Sequence, residues 1–501
     1  MAAAILLQGC AQGFGRLPPS GRKAFAEANR AYEAQDMGNA LVLYDALLEK
    51  NPDFAPAYVN RALVRARTGD REGALEDLDR AIREDPGLTD AWYNRAAILD
   101  DLGEYRKAIA DYTRAAELRK DLFQAYYNRG NAWYRLGEPD RAIEDYTRVL
   151  AANPGYAMAY YNRGTAYSQK GDDTQALADY DRAIALAPGL GMAYVNRGSI
   201  WLEKGDLQKA LSDSNQAVEL SPEDPWAFHN RAIARRFTGD YPGSLEDATR
   251  AVELSPELAE AWYSRGLALA LMNRREEALA DFDRVLSLDP ENIEASLARG
   301  NALTFLGRPT EALMDYARVL DAHPGLPEAL KQQGRALALA GVPEAALKSL
   351  EESREARPKD PETWLFTGQV LHAREDWAGA LANYRKAVEL DPNMAKAWNN
   401  LAWILAACPD PAFRDPAEAV RMAQRAVEIE PYFIYVDTLA AALAATGRFS
   451  DAEEAQRKAL LLAATRDSAF ATHQMREEMR QRLAAYAQGL PNLNAPRGKN
   501  P

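Results

Sequence analysis

Arginine and aspartate recur in this chain at a fixed separation of sixteen residues. A guanidinium binds a carboxylate through two parallel hydrogen bonds, and it binds an anionic ligand with the same geometry. The pattern therefore indicates either a row of anion-binding sites or a row of ion pairs inside the fold. It comprises eight pairs, which are Arg61 and Asp77, Arg95 and Asp111, Arg129 and Asp145, Arg163 and Asp179, Arg197 and Asp213, Arg231 and Asp247, Arg265 and Asp281, and Arg299 and Asp315.

The two members of each pair are present or absent together. Successive pairs lie 34 residues apart, and at three further positions of the same register both residues are missing. Those positions carry Glu27 with Leu43, Gln333 with Ser349, and Thr367 with Asn383. A partly buried arginine that loses its partner costs about 3–5 kcal/mol. The joint loss favours ion pairs that belong to the framework, within one repeat or between neighbours, over anion binding.

Asparagine directly precedes the arginine in six consecutive pairs, and tyrosine precedes several of these positions. Asparagine is a mediocre helix former, so helix stability does not account for the run. Its amide both donates and accepts hydrogen bonds and can pair with a peptide backbone, or it can brace the neighbouring repeat. Both interpretations stay open for Asn60, Asn94, Asn128, Asn162, Asn196 and Asn230, with Tyr93, Tyr127, Tyr161 and Tyr263 as rigid contact residues beside them.

Chemistry of other kinds has no pattern to support it. The four histidines are not spaced as metal ligands, and the sequence has no phosphate loop, dinucleotide fingerprint or nucleophile elbow. We therefore expect no enzyme, no metal and no cofactor. The net charge of -13 argues against nucleic acid as a partner.

An internal period of 34 residues organises the chain from Gly21 onward. When the sequence is written in rows of 34 from Gly21, column 8 is alanine or glycine, column 15 is mostly glycine, column 20 is alanine and column 32 is mostly proline. Glycine ends a first helix, proline follows a second helix, and small residues allow the two helices to cross closely. The arginines stand in column 7, the aspartates in column 23 and the asparagines in column 6.

On these residues the sequence resembles the tetratricopeptide repeat (TPR) family, from Gly21 to about Leu460. The resemblance implies an all-α, right-handed superhelical solenoid of about 12–13 helix-turn-helix repeats with a C-terminal capping helix. We expect a regular array over 21–326, a divergent array over 327–466, a capping helix over 467–488 and a disordered tail over 489–501. The segment "ACPDPAFRDP" is expected between the helices of the twelfth repeat.

The resemblance also implies where a partner would bind. In the family, columns 2, 5, 6, 9, 12 and 13 of the first helices line a concave groove, and the asparagine column resembles the ladder with which O-GlcNAc transferases hold an extended peptide. We expect no glycosyltransferase domain of the kind that follows the repeats in those enzymes. The carboxylate clamp of chaperone adaptors needs lysine in column 5, which repeats two to nine lack, so we expect no binding of acidic C-termini by that mode.

The first twenty residues differ from the repeats. "LLQGC" resembles a bacterial lipobox, which would place a lipid on Cys10 and the protein in the cell envelope, on the periplasmic side. No basic residue precedes the short apolar run, so a frayed N-terminus and a cytoplasmic location form the alternative. Contact with a membrane is expected only through this lipid.

Together these features predict a non-catalytic scaffold that binds an extended peptide segment of a partner protein in its groove. A lipid-anchored cell-envelope assembly factor and a self-associating oligomeric scaffold are the alternatives.

Overall fold

A computed structural model describes residues 17–464 and 471–491. Within these two stretches all regular structure is helical. No helix in them is long and apolar enough to cross a lipid bilayer. The prediction of a lipidated Cys10 lies outside the described residues, as does most of the predicted C-terminal tail.

Contacts between helices divide the chain into two units, Met1–Ser255 and Pro256–Pro501. The described part of the first unit contains α1 Pro19–Glu33, α2 Met37–Lys50, α3 Ala55–Arg67, α4 Arg71–Glu84, α5 Thr89–Asp101, α6 Tyr105–Leu118, α7 Phe123–Arg135, α8 Pro139–Ala152, α9 Ala157–Gln169, α10 Asp173–Leu186, α11 Gly191–Glu203, α12 Leu207–Leu220, α13 Pro225–Phe237 and α14 Tyr241–Leu254.

The second unit continues the same series of helices. Its described part contains α15 Ala259–Leu271, α16 Arg275–Leu288, α17 Ile293–Phe305, α18 Pro309–Ala322, α19 Pro327–Leu339, α20 Pro343–Ala356, α21 Pro361–Ala373, α22 Trp377–Leu390, α23 Ala395–Ala407, a 3-10 turn Pro411–Phe413, α24 Pro416–Ile429, α25 Phe433–Ala445, α26 Phe449–Ala463 and α27 His473–Tyr486.

Each odd-numbered helix from α1 to α25 packs against the next helix to form a hairpin. The described chain thus has thirteen helical hairpins followed by α27, and the predicted all-α repeat architecture is confirmed. Within each unit most first helices also contact the first helix of the next repeat, as α3 does α5 and α17 does α19. The first helices therefore form a shared side, which we call the first-helix face and define by columns 2, 5, 6, 9, 12 and 13.

In every hairpin but the twelfth, where column 15 is Pro409, the turn has a left-handed backbone at column 15. Eight glycines of this column have positive φ, for example Gly137 at 75°. Where the column is not glycine, Gln35, Asn273 and Glu375 still adopt φ of 60°, 63° and 62°. The geometry of the turn is therefore kept even where the residue that adopts it most easily is absent.

Small residues in column 8 are required by the helix crossing. A Cβ on Gly164 would lie 2.9 Å from a ring carbon of Tyr180, and one on Gly266 would lie 2.6 Å from Phe282. Gly198 faces Ser214 instead of a ring, and a Cβ there would come no closer than 3.4 Å. A Cβ on Gly334 would likewise lie 2.7 Å from Leu350, so the space at column 8 is set by the size of the side chain on the second helix.

Aspartate begins many of the second helices. The Asp172 carboxylate accepts a hydrogen bond from the backbone N–H of Gln175, which satisfies one of the free donors in the first turn of α10. The same cap occurs at the start of α2, α4, α12, α14, α22 and α24. Together with the prolines after the second helices, it fixes where each helix begins and ends.

The sequence-based division at residue 326 does not coincide with the contact-based one. It separates regular from divergent sequence, whereas α18 and α19 on its two sides pack together inside the second unit. The capping helix α27 begins at His473. The Thr472 hydroxyl caps its first turn by accepting a hydrogen bond from the backbone N–H of Met475. A buried ion pair holds α27, since both guanidinium Nε and Nη2 of Arg482 donate to Asp437, at 3.1 and 2.9 Å.

Candidate functional site

All eight predicted arginine–aspartate pairs are hydrogen-bonded, each within one hairpin. In every pair the arginine Nε donates to Oδ2 at 2.7–2.9 Å, and Nη2 donates to Oδ1 at 2.5–2.8 Å. The first helix supplies the arginine and the second helix the aspartate. These guanidinium groups therefore point at their own carboxylates, and we call the eight pairs the arginine ladder.

The third nitrogen of most ladder arginines reaches back to the preceding repeat. In seven of the eight pairs Nη1 donates to a side chain sixteen residues before the arginine, in column 25. The acceptors are Asp45, Asp79, Thr113, Thr147, Asp181, Asn215 and Asp283, at 2.6–3.4 Å. Each of these arginines thus fastens its own two helices to the second helix of the previous hairpin.

Aromatic residues in column 4 stack on the same arginines. The guanidinium carbon of Arg265 lies 4.6 Å from the Trp262 ring centre, and that of Arg95 lies 5.0 Å from Trp92. Such rings stand beside seven of the eight ladder arginines. Sequence reasoning missed both this stacking and the column 25 acceptors, although a comparison of polar and aromatic residues between columns could have found them.

Burial and pairing act in opposite directions on these arginines. The side chains are between 13% exposed, at Arg129, and 23% exposed, at Arg299. The hydrogen bond with Asp179 nevertheless raises the pKa of Arg163, because it outweighs the loss of solvent. The ladder is therefore an internally neutralised framework, and its arginines hold no free positions for an anionic ligand.

The asparagine column braces neighbouring repeats through its amide nitrogens. The Asn128 nitrogen donates to the hydroxyl of Tyr93 at 2.8 Å, that of Asn162 to Tyr127 at 2.9 Å, and that of Asn196 to Tyr161 at 3.2 Å. Each bond joins column 6 of one repeat to column 5 of the repeat before it. The bracing interpretation thus describes how these donors are used.

Two further asparagines brace in other ways. The Asn60 nitrogen donates to the Asn29 oxygen at 2.9 Å, and the Asn230 nitrogen donates to the backbone oxygen of Val195 at 3.0 Å. Asn94 is 1% exposed. A peptide in contact with this column would therefore meet few free amide donors in the first unit.

The amide oxygens are used differently from the nitrogens. Asn162 and Asn196 are partly exposed, and no hydrogen bond to their Oδ1 atoms occurs among the described residues. The side chain donates inward and leaves its acceptor toward the surface. Contact with a peptide stays a prediction, and on this geometry it would involve acceptors and not donors.

The tyrosines of column 5 do not all occupy the surface. Tyr93 is completely buried and packs edge-on against Tyr112, with ring centres 5.6 Å apart. The prediction that Tyr93 contacts a peptide is wrong, because its hydroxyl and its ring are enclosed between two repeats. Tyr127, Tyr161 and Tyr263 are partly exposed and keep an edge on the first-helix face.

A histidine takes the place of tyrosine in column 5 of the seventh repeat. His229 is 8% exposed and stands edge-on to Trp226, with ring centres 5.4 Å apart. Burial, together with repulsion from Arg236, lowers the pKa of His229 to about 4. No cluster of side chains that could hold a metal ion occurs in the described part of the chain.

The repeats without the ladder use other polar contacts. In the tenth repeat the Ser349 hydroxyl donates to Oε1 of Gln333 at 2.8 Å, so a neutral bond replaces the ion pair at the same two columns. Lys331 in the same helix contacts Glu328, Asp360 and Glu362 at 2.9, 3.3 and 2.7 Å. Burial acts to lower the pKa of Lys331, but hydrogen bonds and charge attraction from Glu362 and Glu328 outweigh it and raise the pKa.

Family models assign the class of protein that this architecture represents. Models described as "Tetratricopeptide repeat" match residues 25–89, 127–191, 161–225, 297–361 and 259–292, and a model described as "TPR repeat" matches 98–137 and 368–407. Together they cover more than half of the chain. The chain therefore belongs to the tetratricopeptide repeat family.

Solved structures with similar helical repeats cover various shares of this chain. The "APC/C hetero-tetramer Cut9-Hcn1" is 15% identical over 94% of this chain and 98% of its own, with a TM-score of 0.48. Yeast Tom70 is 18% identical over 79% and 96%, with a TM-score of 0.42. YrrB, "a TPR protein with an unusual peptide-binding site", is 25% identical over 37% and 95%, with a TM-score of 0.31. No curated protein sequence matches, and the family assignment rests on the family models alone.

Proposed function

We propose that this protein is a non-catalytic scaffold that binds an extended segment of a partner protein on the first-helix face. Repeats of this kind present a continuous row of equivalent positions, and an extended chain matches such a row better than a compact ligand does. The net charge of -13 and the absence of a metal-ligand cluster in the described residues are compatible with a protein partner.

One observation supports this proposal above the others. The ladder satisfies the buried charges of the first unit internally, while Asn162 and Asn196 on consecutive first helices keep amide oxygens that accept no bond from the described chain. Two acceptors in successive repeats can accept hydrogen bonds from two N–H groups of a partner backbone. Partly exposed Tyr127 and Tyr161 add rigid apolar edges beside them.

The location of the partner can be tested by photocrosslinking in the full chain. We would replace Ser168 in α9 and Ser199 in α11, both partly exposed on the first-helix face, with p-benzoylphenylalanine, one at a time. The control carries the same group at Arg182, an exposed position on the second helix α10. Partner protein captured from a native lysate is then irradiated on each variant and digested for mass spectrometry.

The proposal predicts crosslinks at positions 168 and 199 to one short stretch of the same partner, and few at position 182. Crosslinks that are strongest at position 182, or that come from distant parts of a compact partner, contradict it. Circular dichroism melts of the three variants verify that the fold is unchanged.

A further inference from the structure

The divergent part of the second unit contains an arginine that differs from every ladder arginine. Arg335 of α19 lies in column 9 on the first-helix face and is partly buried. No carboxylate lies within salt-bridge distance of its guanidinium, and it donates no hydrogen bond to any described residue. Its close contacts are with two aromatic rings, since its guanidinium carbon lies 4.2 Å from the Phe305 ring centre and 5.4 Å from that of Phe366.

Other cations near Arg335 increase the local positive charge. Arg275 of α16 lies 4.6 Å from the Phe305 ring centre and likewise has no salt bridge within the described chain. Lys396 of α23 is close enough for repulsion from Arg335, which adds to burial in lowering the pKa of Lys396 to about 8. Burial is also the main cause that lowers the pKa of Arg335. Because burial disfavours their charged forms, the positive charges of Arg335 and Lys396 cost folding free energy. The protein as a whole is acidic.

The acidic groups nearby are already engaged. Glu362 acts electrostatically on both Arg335 and Lys396, but its carboxylate accepts the hydrogen bond from Lys331 at 2.7 Å. Glu328 and Asp360 also face Lys331. Glu328, Asp360 and Glu362 thus all face Lys331, and among the described residues none of them lies within salt-bridge distance of Arg335.

Exposed apolar side chains border the same site. Leu271, Phe305 and Leu339 occupy column 13 of three consecutive first helices and are 51%, 48% and 44% exposed. In the first unit this column holds charged or polar residues in repeats two to six, such as Asp101 and Glu203. The apolar residues can pack against apolar side chains of a partner, and the guanidinium, which has no salt bridge in the described chain, can bind a carboxylate. The surface is therefore complementary to a chain segment that carries both.

We propose that Arg335, stacked between Phe305 and Phe366, binds a carboxylate of an acidic, leucine-rich segment of the partner protein. This inference rests on the proposed function and names the chemistry of the partner for the second unit. Stacking on two rings holds the guanidinium plane and leaves its N–H edge to donate hydrogen bonds to a carboxylate, which is the anion that every ladder arginine binds. Because Glu328, Asp360 and Glu362 stand beside the site, a carboxylate with one negative charge suits it better than a phosphate dianion.

Arg335 belongs to the tenth repeat and Lys396 to the twelfth. The expectation that acidic C-termini do not bind through a carboxylate clamp stays a prediction, since the proposed site takes a side-chain carboxylate within a segment.

The test uses fluorescence anisotropy with a labelled octapeptide of alternating glutamate and leucine. A second peptide has glutamine in place of every glutamate, and a third has phosphoserine in those places. The full-length protein is compared with Arg335→Gln and with Arg318→Gln, a matched control because Arg318 is exposed on α18 and has no salt bridge in the described chain. Phe305→Ala serves as a second variant that removes one stacking ring at a partly exposed position.

The expected result is saturable binding of the glutamate peptide that weakens at least about tenfold in Arg335→Gln and less in Phe305→Ala, with no change in Arg318→Gln. The glutamine peptide should bind at least about tenfold more weakly to the unaltered protein. Equal affinity for the two peptides, equal effects of Arg335→Gln and Arg318→Gln, tighter binding of the phosphoserine peptide, or no binding of the glutamate peptide up to about 1 mM would each overturn the inference. These outcomes leave the crosslinks at positions 168 and 199 unaffected, so the two proposals can fail separately.

Discussion

The ladder repeats and the divergent repeats solve the same packing problem with different chemistry. In repeats two to nine a guanidinium joins the two helices of the hairpin, as Arg163 does through Asp179. In repeat ten the same two columns carry a neutral hydrogen bond between Gln333 and Ser349. The hairpin forms in both cases, which indicates that the ion pair is not needed for the fold itself. The ion pair instead contributes to the free energy that holds the two helices of a hairpin together.

The comparison also separates two kinds of arginine. A ladder arginine has a buried carboxylate, in at least seven cases out of eight a second acceptor in the previous repeat, and mostly an aromatic neighbour. Arg335 keeps only the aromatic neighbours. We infer that the first kind stabilises the framework and that the second is available for binding.

The largest difference should appear when the arginine of a ladder pair is removed. Arg163→Ala leaves the Asp179 carboxylate, 6% exposed, without its two donors and should cost about 3–5 kcal/mol of local stability. Gln333→Ala in repeat ten removes one neutral bond and should cost about 1 kcal/mol. Amide hydrogen exchange on α9 and α10, and on α19 and α20, measures the two values. Equal costs would remove the distinction between the two regions.

A transplant sharpens the same prediction. The double variant Arg163→Gln, Asp179→Ser places the neutral pair of repeat ten into repeat five. It should recover most of the stability lost in Arg163→Ala, because no uncompensated charge remains buried. A double variant as unstable as Arg163→Ala would show that the ladder is required locally for another reason.

Acid should affect a ladder repeat through His229. Because the pKa of His229 is about 4 in the folded chain and 6.5 in its unperturbed form, the unfolded chain takes up a proton between these values that the folded chain does not. Stability is therefore unaffected above pH 6.5 and falls as the pH decreases toward 4. Between pH 7 and pH 5 the loss should be about 2 kcal/mol.

The control for this effect is His229→Tyr, which introduces the residue that column 5 carries in repeats three to five. It should flatten the dependence of the melting temperature of the first unit on pH between 7 and 5. In the divergent repeats burial also lowers the pKa of His372. His372→Phe should therefore reduce the dependence of the second unit's melting temperature on pH between 7 and 5. If neither substitution changes the slope, these histidines are not protonated on unfolding in this range.

The smallest effect is expected for Arg335→Gln on stability. Removal of its cation–π contacts should cost about 1 kcal/mol or less, and no buried carboxylate is left behind. Chemical denaturation followed by hydrogen exchange on α19 measures this value. A loss as large as that of Arg163→Ala would mean that Arg335 belongs to the framework.

Much of the fold follows from the period of 34 residues. The thirteen hairpins, the left-handed turn at column 15 and the small residues at column 8 all follow from constraints that repeat identically. The eight ion pairs could be predicted because arginine and aspartate are lost together, and that correlation between repeats reports a contact directly. The column 25 acceptors vary between aspartate, threonine and asparagine, so no single residue type marked them.

The binding face was harder to predict, and Tyr93 shows why. A column defines the side of the helix on which a residue lies, whereas exposure depends on the neighbours that the adjacent repeats supply. Tyr93 and Tyr161 share column 5, yet Tyr93 is enclosed and Tyr161 is partly exposed. Likewise the sequence shows that an asparagine can both donate and accept, but only the structure shows that its donor is occupied by the preceding repeat.

The backward reach of the ladder arginines has a consequence for how such a chain can change in length. Ladder repeats two to six and repeat eight each offer the next repeat an acceptor at column 25, and every ladder repeat brings its own partner at column 23. Duplication or deletion of one whole repeat therefore joins a donor to an equivalent acceptor and orphans no charge. An insertion between two hairpins would leave each Arg–Asp pair intact but could move the guanidinium away from its column 25 acceptor. The charge pattern thus favours the gain or loss of whole repeats.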